Sequence, residues 1–126
     1  MLENIKMLTI ASALQRHSAE RHSVIAENIA NADTRNYKAK DIEPFDQAFA
    51  RLSRAGVENN AGGAAMQSEW RTFEAAQLGS HSPNGNTVSL EEQMMQSIEA
   101  QQSHEAATTI YRKAIDILRM SLGRNA

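Results

Sequence analysis

The stretch AENIANADTRNYKAKDI, Ala26–Ile42, decides how the rest of the chain is to be read. It begins with helix-compatible residues and passes Asn28, Asn31 and the pair Asp33-Thr34. It leaves as a basic segment around Tyr37, Lys38 and Lys40. Asparagine tolerates the left-handed backbone that often closes a helix, so Asn28 and Asn31 mark a stop. The stretch holds no nucleophile signature, phosphate loop or metal-ligand spacing. It reads as a joint, a helix terminus with a specified exit path.

Upstream, residues 1–31 are expected to form one long helix. Ile10, Leu14, Ser18, Arg21, Ile25 and Ile29 recur at steps of three and four, and no Gly or Pro interrupts them. The apolar seam is thin, and Ser18 and Arg21 occupy its middle. Downstream, residues 32–87 make an irregular middle. Asp41 or Glu43 is placed to cap a short helix with Pro44 in its first turn. Phe45, Phe49 and Leu52 share one face of that helix, and Gly56 marks its end. AGVENNAGGAA and LGSHSPNGN are loop compositions. Between them, Met66, Trp70 and Phe73 fit a helical face, but EWRTF also alternates as a strand does, and extended or irregular structure is the reading adopted.

Residues 88–123 form the second long helix. Ser89 and Glu92 have the spacing of a capping box, with Asn86 just ahead of them. Its apolar seam runs Leu90, Met94 and Ile98, then a polar interval EAQQSHEAATT (Glu99–Thr109), then Tyr111, Ile115, Leu118 and Leu122. Acids near the start and Arg112, Lys113, Arg119 and Arg124 near the end suit the helix dipole. Strict heptads persist through neither helix. The expected fold is therefore mainly α: two long terminal helices packed as a coiled-coil-like helical hairpin, a short third helix, and an irregular or extended middle. Seams this narrow predict that other subunits supply further faces.

The totals agree with a structural rather than a chemical role. A chain of 126 residues is one domain by length, and aromatics are only 5% of it, which limits a private core. A net charge of −2 gives no footprint for nucleic acid or an anionic membrane. Cysteine is absent, which removes disulfides and thiolate chemistry. No run approaches the roughly 18 apolar residues of a membrane span. The start is broken by Glu3, Asn4 and Lys6, unlike a signal peptide. His17 and His22 are five apart and so lie on different helix faces; His81 and His104 converge with no acid. Neither AGGA nor NGN has the context of a phosphate loop. No catalytic, cofactor or metal residue is expected, and no small-molecule substrate.

With the joint and both helices on the page, NIANADT followed by YKAKDI resembles the N-terminal signature of flagellar rod, hook and hook-associated axial proteins. That family shows Asn-x-Ala-Asn-x-x-Thr, then Pro-Gly-Tyr and a basic segment. Asn28, Ala30, Asn31, Asp33, Thr34, Tyr37 and Lys38 stand at the matching stretch. Arg35-Asn36 replaces Pro-Gly, and Asn36 can take the left-handed conformation that glycine supplies. NGNTVSLEEQM, Asn84–Met94, is similar to the segment before the C-terminal helix of proximal rod subunits, with Asn84 and Ser89 where that family often has acids. The resemblance implies a rod-type axial domain over 1–126. It also implies a structural subunit of the bacterial basal body that assembles with copies of itself and other rod proteins. A free-standing helical adaptor is the competing class.

Overall fold

The computed structural model describes residues 2–59 (side chains to Arg54), 70–75 and 82–123. Met66, the glycine pair at 62–63, His81 and Arg124 lie outside them. In chain order the elements are helix α1 (Leu2–Ala30), strand β1 (Lys40–Ile42), helix α2 (Phe45–Asn59), strand β2 (Thr72–Glu74) and helix α3 (Leu90–Gly123). The chain is mainly helical, as the periodicity predicts. At 1.5 Å per residue, α1 and α3 are about 44 and 51 Å long.

The two long helices run antiparallel. Cross-helix hydrogen bonds join Gln15 to Thr108, Arg21 to Glu99 and Asn28 to Gln93, so numbers rise on one helix as they fall on the other. The residues buried between them are small or polar. Gln93, Ala100, Ala107 and Ala114 recur every seven residues on α3, opposite Ala11, Ser18 and Ile25 on α1, also seven apart. A seven-residue recurrence keeps one seam facing its partner, and alanine along it lets the axes approach closely.

This corrects the seam expected from large apolar residues. Ile25 is buried at 3% exposure and Leu14 is half-buried, as are Tyr111, Ile115 and Leu118. Ile10, Ile29, Leu90, Met94, Ile98 and Leu122 are exposed instead, Met94 at 64%. The period is there, but Ala, Ser and Gln carry it, while the larger side chains sit on the outward faces. Arg21, in the middle of the α1 seam, points inward and is paired: it reaches Asp41 on β1 at 3.7 Å and Glu99 on α3 at 3.3 Å.

In the middle, β1 and β2 pair antiparallel, Lys40 with Glu74, Asp41 with Phe73 and Ile42 with Thr72. Of EWRTF, Thr72 and Phe73 lie in a strand that runs on to Glu74, Trp70 and Arg71 precede it and Glu69 lies outside the described residues, whereas β1 is too short for a sequence period to reveal. Helix α2 continues past Gly56 to Asn59, because one interior glycine costs only about 1 kcal/mol. Pro44 opens it, its carbonyl accepting from the Ala48 amide at 3.0 Å. Asp41 and Glu43 hold Arg21 and Arg51.

The seam makes a quantitative statement. Ala107→Leu overpacks a fully buried position and lowers stability by about 1–3 kcal/mol, whereas Ile98→Ala changes it by less than about 0.5 kcal/mol. Urea unfolding followed by helical circular dichroism ranks the two, and the reverse order would place the large residues in the seam after all.

Candidate functional site

The joint is built where α1 runs out of helical partners. The Asn31 amide donates to the carbonyls of Glu27 and Asn28, and its side-chain amide donates to Glu27 O at 2.8 Å. Thr34 Oγ1 donates to Asn31 Oδ1 at 3.0 Å, folding the exit against the helix end. Asn36 then takes φ 60°, the left-handed turn that its side chain tolerates.

The second motif clasps the first. Asn86 Nδ2 donates to both Asn31 O (2.8 Å) and Thr34 O (2.7 Å), carbonyls just past the helix end that also accept the Thr34 and Tyr37 amides. The Asn36 amide donates to Asn84 O, the Thr87 amide to Tyr37 O, and the Ala39 amide to Thr87 Oγ1. Lys38 Nζ donates to Gly85 O at 2.8 Å. Gly85 has φ 82°, and a Cβ there would collide with Asn36 Oδ1. The segments Asn28–Lys40 and Asn84–Thr87, far apart in sequence, are thus one structural unit.

Asn28 is its hub. The side chain is fully buried and uses two donors and two acceptor positions. Nδ2 donates to Lys40 O (2.7 Å) and Gln93 Oε1 (3.0 Å); Oδ1 accepts from the Lys40 amide (3.0 Å) and the Tyr37 hydroxyl (3.0 Å). It therefore ties α1 to β1, to Tyr37 and to α3 at once. Burial raises the Tyr37 phenol above its ordinary pKa, the Glu27 carboxylate adds to this, and Lys40 opposes it, so the phenol stays a donor. The Lys40 ammonium is held charged by its hydrogen bond to Glu27 at 3.1 Å.

Beside the joint, a cleft of about 260 Å³ is lined by the apolar Leu14, Ile42, Pro44, Phe45, Phe73 and Ala100 and by the polar His17, Ser18, Arg21, Asp41 and Ser103. Buried His17 places Nε2 2.7 Å from Glu43 O and lies edge-on to Phe45 and Trp70. This is a packing role. Burial pushes the Glu43 carboxyl up, but hydrogen bonds from Arg51 and the Arg71 amide outweigh it and hold the group below its ordinary value.

Of the motif residues, Asn28, Asn31, Thr34, Tyr37 and Lys38 meet in this unit, while Ala30 and Asp33 are exposed beside it. Ser89 accepts from the Glu92 amide at 3.4 Å, as a cap does. The Glu92 carboxylate accepts from Gln96. Asn86, placed with the α3 cap, binds the Val88 amide and also caps the end of α1. Sequence reading missed Gln93 and Arg21, polar residues that carry no motif and declare themselves only across the helix pair. Among the described residues there is no cluster of potential metal ligands and no helix long and apolar enough to cross a membrane.

The geometry is that of a structural clasp between two helix ends, in which Asn28, Asn31, Thr34 and Asn86 bond one another's segments while the buried Gln93 Nε2 has no partner among the described residues. Residues 7–38, from the first turns of α1 through the joint to Lys38, match the sequence model of the family described as "Flagella basal body rod protein". The match covers 32 of the chain's 126 residues, α1 and the joint. No curated protein matches the chain.

Asn28→Ala orphans the buried Lys40 main chain and Gln93 and lowers stability by about 2–4 kcal/mol, read as a shift in the urea midpoint. Glu43, with its folded pKa depressed, contributes fully above the ordinary carboxylate value of 4.5, and the contribution is lost as pH falls through the lower folded value. The melting temperature of Glu43→Gln should therefore fall less steeply on acidification than that of the unaltered chain; equal slopes would remove Glu43 from the account.

Proposed function

We propose that this chain is a structural subunit of the proximal rod of the bacterial flagellum, of the B type (FlgB-like). It assembles with copies of itself and other flagellar rod proteins through its terminal helices, as one rod-type axial domain over 1–126. The observation that carries this reading is the rod-family match across α1 and the joint. The distribution of apolar side chains supplies a mechanism. Small residues close the α1–α3 seam, and Leu2, Ile5, Ile10, Leu90, Met94, Ile98, Met120 and Leu122 remain outward. Apolar faces of this extent mark interaction surfaces. Contacts between different faces of identical or related subunits are heterologous and open-ended, which builds a helical tube.

The direct passage from NADT to YKAKD, without an inserted loop, favours the B-type over the C-type proximal subunit. In this role the protein is exported by the flagellar type III apparatus without a cleaved signal peptide. It sits at the base of the rod, near the export apparatus and MS ring, in the shaft that crosses the periplasm and transmits torque.

Electron microscopy of basal bodies from a strain lacking the gene tests this. Rings without a rod or hook, and no swimming, are expected; intact rods and normal swimming would leave the helical adaptor as the better account. Asn31→Leu is expected to leave the monomer soluble and block assembly, and normal rods built from that variant would remove the joint from the assembly mechanism.

A further inference from the structure

Helix α3 carries a second seven-residue pattern on the side away from α1. Glu91, Ile98, Glu105, Arg112 and Arg119 recur every seven residues, five places on from the buried row Gln93, Ala100, Ala107 and Ala114. Five residues are about 140° beyond a full turn, so the second row lies nearly opposite the first. All five of its residues are exposed. The row is divided by charge, with acids in its first half and bases in its second. Apolar side chains flank both halves: Met94 and Met95 beside the acids and Met120 beside the bases, 61–64% exposed. Between Glu105 and Arg112 the surface is formed by the small, exposed Ala106 and Thr109. Among the described residues Arg112, Lys113 and Arg119 enter none of the ion pairs, which involve Arg21, Lys40 and Arg51. These bases therefore do not hold the described fold together.

A face that is acidic along one half and basic along the other is complementary to itself turned end for end. Two copies side by side in the same direction would set Glu on Glu and Arg on Arg, which is repulsive. A lengthwise offset would relieve that but leave half of each apolar face uncovered. We infer that the free chain pairs with a second copy of itself through this face of α3, antiparallel, about a two-fold axis near Ala106 and Thr109. Glu105 of each copy faces Arg112 of the other, and the Met95–Ile98 side of each lies over the Met120 side of the other. The small residues at the axis let the two helices approach closely. Such a contact is isologous and closes at two copies. One helix face is a small interface, so the pair is weak, concentration-dependent and sensitive to salt. The inference does not rest on the rod reading. Under that reading the pairing covers, before assembly, side chains that rod neighbours later take up.

Sedimentation velocity of the purified full chain should show a reversible monomer–dimer equilibrium, displaced to monomer by high salt and containing no larger species. Glu105→Arg and Arg112→Glu should each weaken the dimer at least about tenfold, because each change places like charges at two symmetry-related contacts. The double variant, with the charges exchanged, should recover it. Both positions are exposed, and unchanged helical circular dichroism certifies the fold of each variant. Thr109→Cys puts the single thiol of a cysteine-free chain at the axis, so mild oxidation should link it into disulfide dimers. Ile98→Cys faces the other half of its partner and should link far less. A chain that stays monomeric at every concentration, or one that forms a ladder of larger species by an offset contact, overturns the inference. So do single reversals without effect, a double variant that stays monomeric, or linkage through Ile98→Cys in preference to Thr109→Cys. Rods that form normally without the gene would defeat the rod reading and leave these solution results untouched, so the two failures are distinguishable.

Discussion

The arrangement depends on one buried carboxamide. A primary amide taken out of water costs several kilocalories per mole unless its donors and acceptors are met, and a satisfied one fixes its surroundings in return. Asn28 meets that condition in a single geometry, with Lys40 returning past the helix end, Tyr37 turned inward and Gln93 presented by α3. The direction of the exit chain, the register of the two long helices and the position of β1 follow from it. From β1 follow the antiparallel pairing with β2 and the cleft beside it. The loop before α3 is tied in from the opposite side by Asn86, so both sequence motifs serve one three-dimensional unit.

Away from the joint the helices are held differently. Ala107 and Ala114 on α3 and Ala11 and Ala13 on α1 bury little area each, so the pair is close but weakly driven by the hydrophobic effect. The residues with most apolar area face outward. In an ordinary helical hairpin that would waste the main stabilising force. On the rod reading proposed above, that force is reserved for neighbouring subunits. The membership of residues 7–38 in a rod-family match falls on the helix and joint that carry this division.

Much of this was legible in the sequence, and the failures share a cause. The helix stop at Asn31, the left-handed Asn36, the Ser89 cap and the short strand in EWRTF are local, and local chemistry announces them. The phase of the α1–α3 seam was misread because periodicity was sought among Ile, Leu and Met, whereas the buried heptad positions on α3 are Gln93, Ala100, Ala107 and Ala114. Small residues look like filler until a partner helix is known. Arg21 and Gln93 were missed for the same reason: a polar residue in mid-helix is solvated on average, and only the approach of Asp41, Glu99 or Asn28 makes it structural. Gly56 failed as a stop because one glycine is a modest cost that a helix absorbs.

Native-state hydrogen exchange on the isolated chain addresses the central claim most directly, since it reports how stability is distributed along each helix. The account predicts strongest amide protection across residues 18–42 and 86–100, around Asn28 and its partners, with protection falling steadily toward both chain ends. Uniform protection along α1 and α3, or a maximum within residues 2–13 and 107–123, would contradict it. The helix pair would then be stabilised by its own seam, and the joint would be a consequence of the fold.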